Sequence, residues 1–429
     1  MHASTLTLLF AAFVAAAFLT KFWLDGRQAR HVARHRHAVP PAFADDVSLH
    51  SHQRAAAYTI DKLGFGLLTS ALGTAVLLGW TLLGGLDTLN QAVREAVYPR
   101  FGGMAYQLAL LGAFMLIGAL IDLPQEAWAT FRIEQRHGFN RMGWRMWVGD
   151  QLKQGLVGLL IGTPIAALIL WLMGAAGQAW WLWAWGAWVA FSLTLMVVFP
   201  IFIAPLFNKF TPLADEALAQ RVTDLMRRCG FQAKGFFVMD GSTRSAHANA
   251  YFTGMGASKR VVFFDTLLGK LSHGEVEAVL AHELGHFKHK HVLKRMVTMC
   301  VMSLLGFALL GWLSRQVGFY LGLGVAPNLG SGAPNDALAL LLFMLALPPF
   351  LFFVAPVFSA RSRRDEYQAD AYACAQASGQ DLAQALIKLY KDNSSTLTPD
   401  PIYVRFHYSH PPASERLAAM AAHLQPKAA

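Results

Sequence analysis

The sequence predicts a mainly α, polytopic membrane protein: seven transmembrane helices and a cytoplasmic insertion that holds a small β-sheet. Three observations lead there. The chain is 55% hydrophobic and only 14% charged, with a mean hydropathy of +0.37, whereas soluble domains are about a quarter charged. Seven stretches, near 5–24, 63–86, 103–121, 155–174, 179–207, 296–313 and 337–360, each supply the roughly 20 mostly apolar residues that a bilayer crossing needs. Between the fifth and sixth lies a large polar segment, 208–295. A soluble protein with buried helices would not leave seven such runs with hardly a charge inside.

Charge placement sets the orientation. Of the 36 Lys and Arg, 33 fall in four alternate segments, 21–62, 122–154, 208–295 and 361–429; the other side holds only Arg94, Arg100 and Arg315. The positive-inside rule then places the amino terminus outside and the carboxyl terminus in the cytoplasm, as an odd number of spans requires. The net charge of +10 lies beside apolar spans, so its partner is the lipid bilayer and not nucleic acid. Cys229, Cys300 and Cys374 are far apart and suggest neither a disulfide framework nor a cysteine metal site.

The chain divides into a membrane portion, 1–207, with cytoplasmic loops at 21–62 and 122–154; the insertion, 208–295; two further spans in 296–360; and a cytoplasmic segment, 361–429. The first span has no basic residues before it, and Arg27, Arg30, Arg34 and Arg36 follow it, so it reads as a retained anchor and not a cleaved signal. Segment 122–154 reads as a mixed-charge loop, helical in part, with nothing that demands chemistry. The fifth span is rich in Trp, as at a membrane interface, and Pro348-Pro349 should kink the seventh. Within the insertion, 214–229 reads as a helix with an apolar stripe through Leu218, Val222 and Met226. Phe236–Met239, Ala250–Thr253 and Arg260–Phe264 read as strands.

The next helix carries the chemistry. Ser272 and Glu275 form a capping box, and the helix runs into His282-Glu283-Leu284-Gly285-His286, an H-E-x-x-H motif. Two His at i and i+4 share a face and reach one tetrahedral metal ion. Glu283, turned about 100° from His282, stands beside the ion as a general base, the arrangement of a zinc peptidase. The insertion is therefore predicted to be a zinc-metalloprotease domain. A catalytic zinc needs a third protein ligand and an open position. Val292 stands where a metzincin would have its third His, which excludes that class. His289 and His291 are too near the first pair to close the site and read as interfacial or supporting residues. The better source is the helix after the seventh span, where Asp365, Glu366 and Asp370 lie. Spacing alone does not choose among these three.

The chain resembles the type 1 CAAX prenyl endopeptidases, seven-span membrane zinc proteases of the gluzincin class. The likeness rests on Thr130 to Asn140, Phe202-Ile203-Ala204-Pro205-Leu206-Phe207, Ser245 to Gly254, the H-E-x-x-H helix, Glu366-Tyr367-Gln368-Ala369-Asp370-Ala371 and His407-Tyr408-Ser409-His410-Pro411-Pro412. It implies one Zn²⁺ held by His282, His286 and Glu366, with Asp370 and Arg416 supporting them. It also implies that His410 stabilises the oxyanion and that Asn249, Ala250 and Tyr251 hold an extended substrate along the cleft. The family cleaves C-terminal tripeptides from prenylated C-a-a-X proteins, so the implied partner is a peptide or protein substrate, lipidated or membrane-embedded. Short loops and Ala-rich composition point to a bacterial member in the inner (cell) membrane. Two rival readings are a quality-control protease for membrane proteins and, from another class, a transporter or receptor with a structural zinc. A structural site would fill all four positions and would have no use for Glu283.

Overall fold

The computed structural model describes residues 2–253 and 258–424. Apolar composition and length make long helices of the first half: α1 (Ala3–His35), α2 (Leu49–Trp80), α3 (Gly85–Trp128), α4 (Trp144–Ala175) and α5 (Trp180–Val198). α3 is two helices joined at Gly102, whose φ of 78° and ψ of −177° suit a residue without a Cβ. A π-helical turn, Ala129–Glu134, extends α3. The polar loops are thus shorter than the charge pattern suggests, because α1, α2, α3 and α4 all continue as helix past their apolar portions; α3 even passes through Pro124.

The second half begins with β1 (Phe210–Pro212), α6 (Glu216–Cys229), β2 (Gln232–Met239), β3 (Ala250–Thr253), β4 (Ser258–Phe264) and the short α7 (Asp265–Leu268). Then come α8 (His273–Lys288), α9 (His291–Leu313), α10 (Val317–Gly322), α11 (Asp336–Leu351), α12 (Ala355–Gln376), α13 (Gly379–Asp392), α14 (Pro401–His407) and α15 (Ala413–Leu424). Among the described residues, six helical segments are long and apolar enough to cross a membrane. A seventh span forms if α11 and α12, bent by 66°, count as one. The bend falls after Leu351 rather than at Pro348-Pro349, which stay inside α11. Pro356 opens α12, and proline favours the first turn of a new helix, where its missing N–H costs nothing.

Large apolar side chains such as Leu8, Met115, Leu159 and Trp183 stand exposed on the long helices, as surfaces meant for lipid do. One core, around Phe10, Leu110, Leu170 and Leu338, joins the membrane helices. A second, around Leu218, Val222, Met226, Val261, Phe263, Leu280 and Leu284, lies under the sheet and α8. The sheet order is β1-β2-β4-β3. β3 runs antiparallel to β4 with Ala250 opposite Phe263 and Tyr251 opposite Val262, which leaves β3 at one edge.

Candidate metal centre

The Ser272 hydroxyl accepts from the Glu275 N–H, and the Glu275 carboxylate accepts from the Ser272 N–H at 2.7 Å. Lys388 on α13 pairs with the same carboxylate at 2.7 Å. α8 is buried through Val276, Ala278, Leu280, Ala281 and Leu284, which fixes its rotation. Gly285 then lets α12 approach closely: a Cβ there would lie 3.0 Å from the Ala369 Cα.

That approach brings three ligand atoms together. The Nε2 atoms of His282 and His286 are 3.3 Å apart. Glu366 sets Oε2 at 3.4 Å from the first and Oε1 at 3.4 Å from the second. A tetrahedral ion bound at about 2.0–2.1 Å spaces its ligand atoms about 3.3–3.4 Å apart, so the donor set fits such an ion. Two further observations agree. Glu366 Oε2 is buried without a hydrogen-bond partner. Burial lowers the His282 pKa, yet the Asp370 hydrogen bond and the Glu366 carboxylate 3.4 Å away outweigh it and push it up to about 9. Such surroundings favour a positive charge between these groups. Of the three carboxylates left open by spacing, Asp365 turns instead toward Arg295 and His291, at 3.7 and 3.6 Å.

Asp370 Oδ1 lies 2.8 Å from His282 Nδ1, and both its oxygens accept from Arg416, at 2.6 and 2.8 Å. Glu283 shares a cavity of about 550 Å³ with His282, His286, Glu366, His410 and Arg416. Burial lifts its carboxyl above the ordinary value, as suits a base that works near neutral pH. His410 reaches in from the loop after α14, with Nε2 at 3.4 Å from Glu366 Oε1.

Asn249 and Ala250 line this cavity, at the start of the edge strand. Tyr251 does not. Successive strand residues face opposite ways, so its side chain lines a separate cavity with Ile201, Phe237 and Arg260. Sequence reasoning missed what props the strand. Asn393 Oδ1 accepts from the Ala248 N–H at 3.1 Å, and Phe139 stacks on His247 at 4.2 Å. Asn140 bridges to Ser245, and Arg244 pairs with Asp150. Segment 122–154, which asked for no chemistry, braces the loop that leads to the edge strand; no signal along the chain announces such contacts.

A mostly helical, multi-spanning fold with an H-E-x-x-H helix and a distant Glu at one metal-sized site defines an integral-membrane metallopeptidase. Residues 28–209 match the family model described as CAAX prenyl protease N-terminal, five membrane helices, and residues 212–423 match Peptidase family M48. CAAX prenyl protease 1 of Saccharomyces cerevisiae is 33% identical over 96% of this chain and 94% of its own length. The CAAX prenyl protease 1 homolog of Arabidopsis thaliana is 32% identical over 95% and 96%. The crystal structure of S. mikatae Ste24p superposes with a TM-score of 0.88 at 32% identity, covering 97% of this chain and 98% of that one. The chain belongs to the M48 family of CAAX prenyl protease 1 homologues. It is a membrane metalloendopeptidase, a hydrolase of peptide bonds.

Proposed function

We propose that the protein is a zinc endopeptidase that cleaves membrane-associated peptides at the cytoplasmic face of a bacterial cell membrane. One observation carries the reading: the two imidazole Nε2 atoms of His282 and His286 lie 3.3 Å apart with one Glu366 carboxylate oxygen 3.4 Å from each, in the cavity that the edge strand also lines. Zinc bound there would acidify a water to a pKa near 7 and polarise the scissile carbonyl. Glu283 takes a proton from the attacking water and later gives it to the leaving nitrogen. His410 donates to the developing oxyanion. Asp370, held by Arg416, keeps the His282 proton on Nδ1 so that Nε2 stays a donor to the ion. Substrate enters extended and pairs with β3, with Asn249 and Ala250 beside the reacting bond and Tyr251 contributing through its backbone.

The relatives' names extend the proposal to substrates with a prenylated C-a-a-X terminus. Residues 1–207 and 296–360 are assigned to the membrane, and 208–295 and 361–429 to the cytoplasmic side, on the loop charges. Purified protein should cleave a farnesylated C-a-a-X peptide, lose that activity to a chelator and regain it with zinc. Comparison with the unlipidated twin measures what the lipid adds. A protein that contains no zinc, or that cleaves equally well with Glu283→Gln, would refute the reading.

A further inference from the structure

We propose that His291 is a positioning residue: it accepts the Nδ1 proton of His286 and so aims the bare Nε2 of that imidazole at the metal. The inference rests on the reading of His286 as a metal ligand. In an unbroken helix a residue five positions on lies about 140° round the axis and cannot meet the first. Here Lys290 takes a left-handed conformation, φ 57° and ψ 30°, which costs a non-glycine residue energy and needs a reason. The turn starts α9 at His291 and folds that buried side chain back, Nδ1 to Nδ1, at 3.0 Å from His286.

One proton must lie between these two nitrogens, and the surroundings say whose it is. His291 Nε2 faces Gln368 Oε1 at 3.1 Å and Asp365 Oδ1 at 3.6 Å. A carboxylate and an amide oxygen only accept, so His291 carries its proton on Nε2 and leaves Nδ1 as the acceptor. His286 is then the donor through Nδ1, and its Nε2 lone pair faces His282 Nε2 and Glu366. His282 is oriented likewise, but by the carboxylate of Asp370. The two ligand histidines thus have different partners, one anionic and one neutral. Metal-bound histidines usually donate to a carboxylate, a carbonyl or a water; an imidazole acceptor orients the ring without adding negative charge.

The test compares two replacements in the full-length purified protein, with zinc affinity read by competition with a chromophoric chelator. His291→Leu removes the acceptor, and zinc affinity should fall about 10–100-fold. His291→Asn can set an amide oxygen near the lost Nδ1 and should restore affinity to within about threefold. Thermal midpoints of the two zinc-free variants, measured alongside, separate loss of fold from loss of zinc affinity. A pure packing role would weaken both variants alike, and no role would weaken neither; either result overturns the proposal. If His291→Leu does not fold, Gln368→Leu serves: it frees the His291 ring to reverse and should weaken zinc severalfold, and unchanged affinity would count against the chain of donors. Wild-type protein that binds no zinc would instead sink the metal-ligand reading itself.

Discussion

Replacing Gly285 by alanine tests the close helix contact on which the metal centre depends. The new Cβ would meet the Ala369 Cα at 3.0 Å, the Ala369 carbonyl oxygen at 3.2 Å and the Tyr372 Cβ at 3.2 Å. Carbon atoms rest comfortably about 3.5–4.0 Å apart, so α8 and α12 must part by about half an ångström. Two of the three obstacles are backbone atoms, which no rotamer change can move. Alanine regains about 1 kcal/mol of helix propensity, and overpacking costs about 1–3 kcal/mol, so global stability should drop by at most about 2 kcal/mol. The metal centre has less tolerance. Glu366 lies one turn before Ala369 on α12, and its 3.4 Å separations from both imidazoles would widen with the helices. An ion that wants ligands at about 2.0–2.1 Å should then bind at least about tenfold more weakly, or about 1.4 kcal/mol. Chelator competition alongside thermal unfolding in detergent separates the two effects. Unchanged metal affinity in a variant of near-normal stability would refute the argument that this contact sets the ligand spacing.

Four further outcomes follow from the same geometry. Glu283→Gln should keep its zinc by elemental analysis while turnover falls about 10²–10⁴-fold; near-normal cleavage would remove Glu283 from its role. Glu366→Ala should lose zinc, and full zinc content would move the assignment to Asp365 or Asp370. Asp370→Ala leaves the buried Arg416 guanidinium without its partner, so unfolding free energy should fall by about 3–5 kcal/mol and zinc affinity about 10–100-fold; denaturant titration and chelator competition check both. Burial raises the Glu275 pKa, but the Lys388 and Ser272 hydrogen bonds outweigh it and hold it below its ordinary value. A depressed carboxylate stabilises the fold above its unfolded pKa, about 4.3, and that stability is lost as pH falls through the folded one. Melting temperatures of Glu275→Gln should accordingly depend less on pH in that acid range than those of the parent, and parallel curves would show that the cap contributes nothing.

What the sequence discloses follows the distance over which its signals act. Helical spacing pairs His282 with His286, and Ser272 with Glu275 marks where that helix begins; both signals lie within two turns. Hydropathy locates the spans, since each is a property of about 20 neighbouring residues. Spacing could not choose among Asp365, Glu366 and Asp370, because the choice depends on how α12 turns against a helix some eighty residues earlier. Only the family likeness singled out Glu366 in advance. Tyr251 shows the limit of a motif read as a block: the strand period sends its side chain to the far face from Ala250. Closeness to His286 marks His291 only as interfacial or supporting, without naming its partner, and Asn393 carries no local signature, since its contact is made in space. The bend of the last span was legible as a proline effect, but Pro356, which opens the new helix, is the better marker than the Pro348-Pro349 pair.

The 66° bend between α11 and α12 bears on the order in which the candidate site is completed as the chain is made. His282, Glu283 and His286 leave the ribosome well before residue 366, so an unfinished polypeptide carries two of the three groups proposed to hold the metal and lacks the third. The third arrives only when the closing hydrophobic segment has been threaded and turned back. A site built from these three groups can therefore close only once residue 366 has been made and α12 has packed back against α8.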